Sequence, residues 1–167
     1  MTPTIDEFVA ARGEALLRFA LMLCGNRHSA EDLVQSALAM AYPRWARISA
    51  MERPEAYVKK VIVREHLRWR RRRSSGEVPL PGSAGEGRPT VDDVAGAHAD
   101  RDAAWALLAR LPRGQRAILV VRYYEDLSDG QIAAMLGCGE STVRSQAARG
   151  IAASRAALPT LERETLP

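Results

Sequence analysis

Apolar residues recur every three or four positions near both ends of the chain, the spacing of helices that bury one face. In residues 1–73 this pattern predicts three helices. The first ends at Gly25, where glycine interrupts the periodicity, and the third begins at Pro54, a residue suited to the first turn of a helix. Three helices that share an apolar face form a compact helical domain.

Short polar pairs mark where two of these helices begin. Thr4 with Glu7 has the spacing of a capping box, and Ser29 with Asp32 has the same form before the second helix. Pro43 falls inside the second apolar pattern. Because proline lacks the backbone donor and its ring crowds the preceding turn, we expect it to kink or divide that helix.

The pattern changes over residues 74–99, which are rich in Gly and Pro and poor in large apolar residues. Such a segment buries too little surface to offset its ordering entropy, so it predicts a flexible linker. Helical periodicity returns by Trp105. The sequence therefore predicts an all-α chain of two small domains, 1–73 and 100–160, joined by this linker.

A helix-turn-helix is indicated in the second domain by "LSDGQIAAMLGCGESTVRSQAARGIAASRAAL". Ser128 and Gln131 form another capping box, and Gly137 supplies a turn that favours a positive φ. The small Ala133 and the branched Val143, one on each side of that turn, permit two short helices to cross closely. The alternative is an ordinary helical hairpin with a solvated polar face.

The second helix of this pair carries an outward polar set, defined as Ser141, Thr142, Arg144, Ser145, Gln146 and Arg149. Hydroxyl groups and arginines donate to phosphates, and Arg and Gln also donate to base edges in the major groove. A DNA-reading helix has this chemistry.

The net charge of +4 is modest, but its distribution is uneven. Residues 59–73 hold eight cations and one acid, whereas residues 74–104 hold six acids and two cations. A basic stripe on one helix is typical of nucleic-acid binding. The stripe contains Lys60, Arg64 and Arg68, and it lies between two aromatic residues.

These aromatic residues, Tyr57 and Trp69, allow two interpretations. Aromatic rings can stack on unpaired bases beside a phosphate-binding stripe. Alternatively, both rings pack in the core and the cations only keep the helix soluble.

Several function classes find little support. The sequence has no apolar run long enough to span a membrane, so we expect a cytoplasmic protein without membrane insertion. The candidate metal or catalytic residues Cys24, His28, His66, His98 and Cys138 do not form a plausible ligand set, so we expect no metal site, no cofactor and no enzyme activity. The two cysteines are expected to be free thiols.

Together the two halves resemble the extracytoplasmic-function (ECF) sigma factors of the bacterial sigma-70 family. "SAEDLVQSALAMAYPRWARI" looks like the core-binding segment of region 2, and "PEAYVKKVIVREHLRWRRRR" looks like the segment that reads the −10 element. "LARLPRGQRAILVVRYYEDLSDGQIAAMLGCGESTVRSQAARG" is similar to region 4. Gln146 and Gly150 resemble an actinobacterial subgroup.

The resemblance implies a sigma factor that binds core RNA polymerase and directs transcription initiation. Asp32, Leu33, Val34 and Gln35 match the family's "DLVQ" and would meet the clamp helices of the β′ subunit. Region 4 would rest on the β-flap. The family is commonly inhibited by anti-sigma factors, so an anti-sigma partner is expected.

The resemblance also assigns the DNA contacts. The loop 48–54 and the helix after it would hold the unpaired −10 strand, and the outward polar set would face the −35 major groove. The −10 contacts would come from Tyr57, Lys60, Arg64, Arg68 and Trp69.

A different class of protein stays open at this point. A self-sufficient DNA-binding regulator would use the helix-turn-helix on an operator and residues 1–73 for dimerisation or sensing. The "DLVQ" segment before a basic, aromatic helix favours the sigma factor, because such a regulator has no evident use for it.

Overall fold

The computed structural model describes the backbone of residues 1–74 and 99–165 and the side chains of residues 1–68 and 104–159. The described residues form helices and no strand, which confirms the predicted all-α class. They fall into two compact units, one before and one after residue 90. The proposed linker, apart from its two end residues, lies outside the described residues, so its boundaries stay a prediction.

Helix α1 (Ile5–Cys24) has the ends that the sequence predicts. The Glu7 amide donates to Thr4 Oγ1 at 3.2 Å, and the Thr4 amide donates to Glu7 Oε2 at 2.7 Å. Gly25 ends the helix with φ 81° while its amide donates to Leu21 O at 2.8 Å. This left-handed conformation is one that glycine adopts without a steric cost.

Helix α2 (Arg27–Ala41) begins two residues before the predicted cap. The prediction that Ser29 caps this helix is wrong, because Ser29 already lies in its first turn. Asn26 is the N-cap residue, and its Oδ1 accepts from the Ser29 amide at 2.8 Å. After the left-handed Gly25, one extended residue redirects the chain, and the short Asn26 side chain satisfies an amide of the new helix.

Pro43 divides the segment that follows, as predicted. A single 3-10 turn, Tyr42–Arg44, separates α2 from a short helix α3 (Trp45–Ser49). Pro54 then begins α4 (Pro54–Ser74). This position tolerates proline because the first helical amides have no intrahelical acceptor.

The core of the first unit lies between α1, α2 and α4. Trp45 closes one end of it: its ring packs on Phe8 with centroids 4.8 Å apart, and its Nε1 donates to Pro3 O at 3.0 Å. Val9, an apolar residue of α1, is exposed. The large side chains that are fully buried are Leu16, Phe19, Leu23, Leu33, Ile48, Val58, Ile62 and Val63.

The second unit contains α5 (Ala99–Ala109), α6 (Arg113–Tyr123), α7 (Asp129–Leu136) and α8 (Glu140–Thr165). The last helix was predicted to be short and instead runs for 26 residues. Ile118, Leu119 and Val121 on α6 are buried as their spacing predicts, whereas Tyr124 just after it is 48% exposed.

Arg116 joins α5 to α6. Its Nε donates to Leu108 O at 2.9 Å, a carbonyl that also accepts from the Leu111 amide, and its Nη2 donates to Leu111 O at 3.1 Å, just beyond the end of α5. Its guanidinium also lies 5.4 Å from the Trp105 ring centroid, within cation–π range. This one side chain therefore fixes the corner between the two helices.

Gly150 lies where α8 packs closely on α6. A Cβ at this buried position would lie 3.0 Å from Leu119 Cδ1 and 3.5 Å from Gln115 Cβ. A glycine inside a helix costs about 1 kcal/mol relative to alanine, so the close packing has to compensate for it.

We predict that Gly150→Ala lowers the free energy of unfolding of the second unit by about 1 kcal/mol, because overpacking outweighs the better helix propensity. In a Leu119→Val background, which removes the contacting Cδ1, the same change should raise it by up to about 1 kcal/mol. Native-state hydrogen exchange of α6 and α8 amides in the four variants measures the coupling. An identical effect of Gly150→Ala in both backgrounds would show that Leu119 does not constrain position 150.

Candidate nucleic-acid interface

The turn between α7 and α8 is built by local hydrogen bonds. At the start of α7, the Gln131 amide donates to Ser128 Oγ at 3.2 Å and the Ser128 amide donates to Gln131 Oε1 at 2.9 Å, as the predicted capping box requires. At its end, Gly137 has φ 69°, and its amide donates to Ala133 O at 2.9 Å. The chain thus reverses within a few residues and starts α8.

Gly139 precedes the first residue of α8 and contributes only its backbone to the cap. Its carbonyl accepts from the amides of Thr142 at 3.1 Å and Val143 at 3.2 Å. Glycine provides no side-chain acceptor at this position, unlike serine or aspartate. The Ser141 hydroxyl lies one helical residue further on, at the exposed surface.

Helical periodicity separates the buried face of α8 from the outward polar set. Val143, Ala147 and Gly150 are buried, on the side of α8 that packs on α6 and α7. In the outward polar set, Gln146 is half-buried and the other five side chains are exposed. The structure therefore brings these six residues onto the accessible side of one helix.

Glu140 lies beside this set, although the sequence analysis did not assign it to the interface. Its Oε2 is 3.4 Å from Arg144 Nη1, an ion pair one helical turn apart. The signal in the sequence was a glutamate four residues before an arginine, a spacing that places both on one helix face. Arg144 therefore has an acidic neighbour on its own helix. Arg149 lies five residues further along α8 and is also exposed.

The basic stripe on α4 is only partly accessible. Arg64 and Arg68 are exposed, and Arg68 Nη1 lies 3.4 Å from Glu65 Oε1. Lys60 and Tyr57 are half-buried, so the packing and stacking interpretations of Tyr57 both stay open. The side chain of Trp69 lies outside the described residues.

Lys59, one of the eight cations counted in this segment, points into the protein. Its side chain is 12% exposed, its Nζ lies 2.8 Å from Glu55 Oε1, and the same nitrogen is 5.5 Å from the Phe19 ring centroid. Glu55 also lies 3.5 Å from Arg12 Nε on α1. Lys59 therefore stabilises the packing of α4 and is not available to a phosphate.

Three further arginines were not named among the predicted −10 contacts, although Arg53 lies in the loop 48–54 that the resemblance assigned to the −10 strand. Arg44, Arg47 and Arg53 are exposed along the segment between α2 and α4. Tyr42, in the same segment, is 66% exposed. The signal was the density of arginine beside the predicted break at Pro43, and these residues extend the basic surface that precedes α4.

The four residues of "DLVQ" divide into two pairs. Asp32 and Gln35 are exposed on α2, and the Asp32 carboxylate lies 3.5 Å from His28 Nε2. Leu33 is fully buried and Val34 is 8% exposed, so both belong to the core of the first unit. Asp32 and Gln35 are therefore accessible to a partner, whereas Leu33 and Val34 pack α2 against the core.

The described residues contain neither a membrane-spanning helix nor a candidate metal site. No described helix is long and apolar enough to cross a membrane. Within residues 1–68 and 104–159, no cluster of His, Cys, Asp and Glu has the arrangement of a metal site. His66 is buried with its Nδ1 3.9 Å from Cys24 Sγ, and neither Cys24 nor Cys138 forms a disulfide bond.

Comparison with known proteins matches two segments of the chain to two family models. Residues 8–76 match the family model described as Sigma-70 region 2, and residues 101–153 match Sigma-70, region 4. The RNA polymerase sigma-E factor of Streptomyces coelicolor is 37% identical over 153 residues, which cover 90% of this chain and 83% of that protein.

Two further relatives extend the comparison. The ECF RNA polymerase sigma factor SigL of Mycobacterium tuberculosis is 32% identical over 166 residues, covering 96% of this chain and 90% of that protein. Among solved structures, the sigma factor RpoE of Bartonella quintana, crystallised with the anti-sigma factor NepR, has a similar fold. Its TM-score is 0.64 at 23% identity, with 92% of this chain and 96% of that chain covered.

Proposed function

The chain belongs to the ECF sigma factors of the sigma-70 family, and we propose that it binds core RNA polymerase, reads −35 and −10 promoter elements and directs transcription initiation. The observation that carries this proposal is the presence, in one chain and in order, of a basic helical unit and a helix-turn-helix unit with an exposed polar face.

The −35 element is the proposed ligand of the outward polar set. Exposed Ser141, Thr142 and Ser145 lie at the start of α8, where hydroxyl groups and helix amides suit phosphate. Arg144 and Arg149 have the reach and the donors to read guanine in a major groove. The burial of the opposite face of α8 supports this orientation, because only the polar side is accessible.

The −10 element is the proposed ligand of α4 and the residues before it. Unpaired strands are bound by a basic surface that tracks phosphates and by rings that stack on bases. Arg64, Arg68 and Lys60 supply the charge, and we add Arg44, Arg47 and Arg53 to this surface because they are exposed. Tyr57 and Trp69 remain the proposed stacking residues.

Core polymerase is the proposed partner of α2. Asp32 and Gln35 are exposed one turn apart and would contact the β′ clamp helices, while the buried Leu33 and Val34 keep α2 in position. The second unit would bind the β-flap. In this role the chain is an initiation factor and catalyses no reaction itself, and we propose that it acts in the cytoplasm.

An anti-sigma factor is the proposed regulatory partner. The structural relative from Bartonella quintana was crystallised with one, and this chain has a similar fold. A protein that covers Asp32 and Gln35 would compete directly with core polymerase.

Footprinting on promoter DNA with and without core polymerase distinguishes a sigma factor from a self-sufficient regulator. We predict −35 and −10 protection only when both the chain and core polymerase are present. Arg144→Ala with Arg149→Ala should weaken promoter binding about 10–100-fold, because each arginine accounts for a base or phosphate contact. Arg12→Ala with Arg18→Ala removes the same charge from α1 and serves as the control.

Protection by the chain alone, at equal affinity with and without core polymerase, would contradict the sigma role and favour the regulator. Equal losses in both double variants would instead show that the effect comes from total charge, and the assignment of α8 to the −35 element would be wrong.

Core binding gives a second prediction. Asp32→Ala with Gln35→Ala should lower the affinity for core polymerase about tenfold without changing the unfolding transition, since both side chains are exposed. Leu33→Ala should instead reduce the stability of the first unit by roughly 2–5 kcal/mol, because it empties part of a core. Titration of labelled chain with core polymerase, beside urea unfolding, separates the two effects. Unchanged core affinity in the double variant would contradict the assignment.

A further inference from the structure

Glu140 lies between the two helices of the helix-turn-helix. It is the first residue of α8, and its Oε2 lies 3.4 Å from Arg144 Nη1. On the other side, its Oε1 lies 3.0 Å from the place where a Cβ would stand at Gly130, in the first turn of α7. The carboxylate thus occupies space that is open because residue 130 is a glycine.

This ion pair contributes little to stability. The Glu140 and Arg144 side chains are 56% and 60% exposed, and exposed ion pairs are screened by water and salt. Its main consequence is geometric. A guanidinium presents donors along fixed edges, so a carboxylate at Nη1 restricts the direction in which the remaining donors point.

The donors that stay available match one base. With Nη1 held by Glu140, the edge formed by Nε and Nη2 remains able to donate two parallel hydrogen bonds. Guanine offers the matching pair of acceptors, O6 and N7, in the major groove. An arginine fixed in this way loses less conformational freedom on binding than one that moves freely.

We infer that Glu140 is a specificity-determining positioning residue, which holds Arg144 with its Nε–Nη2 edge directed at a guanine of the −35 element. The inference rests on the proposed function of α8. Gly130 leaves room for this carboxylate, since a Cβ at that position would contact Oε1 closely.

The same carboxylate also lowers the non-specific affinity for DNA. It adds a negative charge at a surface that approaches phosphates, and charge contributes most of non-specific affinity for DNA. Removing Glu140 should therefore change two quantities in opposite directions: non-specific affinity rises, while preference for one base pair falls. A residue that only stabilised the fold would lower both.

The test uses holoenzyme reconstituted from core polymerase and the full chain. Binding is measured by competition on a promoter in which every −35 base pair is changed singly, and on a duplex without promoter elements. The variants are Glu140→Ala, Glu140→Gln, Arg144→Ala, Glu140→Ala with Arg144→Ala, and Gly130→Ala. Glu14→Ala is the matched control, because Glu14 forms an exposed ion pair with Arg18 at the same spacing on α1.

Glu140→Ala should reduce discrimination about tenfold at one G·C pair, the same pair that Arg144→Ala affects, and the double variant should lose no more than Arg144→Ala alone. Its affinity for the duplex without promoter elements should rise about twofold to fivefold. Glu140→Gln keeps an acceptor and should restore part of the discrimination. Gly130→Ala keeps the charge of Glu140 and requires only a small shift of its flexible carboxylate, so it should change neither quantity by more than about twofold.

Two results would overturn the inference while leaving the proposed function intact. One is an unchanged base-pair profile for Glu140→Ala when Arg144→Ala does lose discrimination. The other is a loss at a different base pair, which would mean that Glu140 contacts a base by itself. If the unmodified holoenzyme showed no preference at any −35 position, the proposed function would fail first.

Discussion

The proposed DNA-reading surface depends on how α8 is buried. Val143, Ala147 and Gly150 pack against the rest of the second unit, and the helical repeat then leaves the residues between them on the accessible side. Gly150 allows α8 to approach Leu119 closely, and the left-handed Gly137 sets the turn that brings α7 alongside. The position of each polar side chain is therefore a consequence of apolar packing behind it.

In the first unit too, the buried side of a helix decides which residues are exposed, and here charged side chains take part in the packing. Lys59 is held by Glu55 and lies over Phe19, so α4 docks through one of its cations and exposes others. Leu33 and Val34 anchor α2, and this leaves Asp32 and Gln35 on the outer side. In both units, one helix face makes the core and the opposite face is available for partners.

The sequence was most informative where a local rule decides the structure. The capping boxes at Thr4 and Ser128 and the break at Pro43 follow from backbone hydrogen bonding and could be predicted. Asn26 was missed because Asn26 and Ser29 are both suitable N-cap residues. The backbone conformation after Gly25 decides which of them caps α2. The contact of Lys59 with Phe19 and the contact of Glu140 with Gly130 depend on tertiary packing, which residue spacing does not contain.

The proposed role requires the two units to act together, on core polymerase, at one class of promoter. It is tested most directly by transcribing fragmented genomic DNA with core polymerase, with and without the full chain, and by mapping the 5′ ends of the transcripts. We expect new start sites that share a −35 and a −10 sequence at constant spacing and that require the chain. Start sites unchanged by the chain, despite intact binding to DNA, would contradict it.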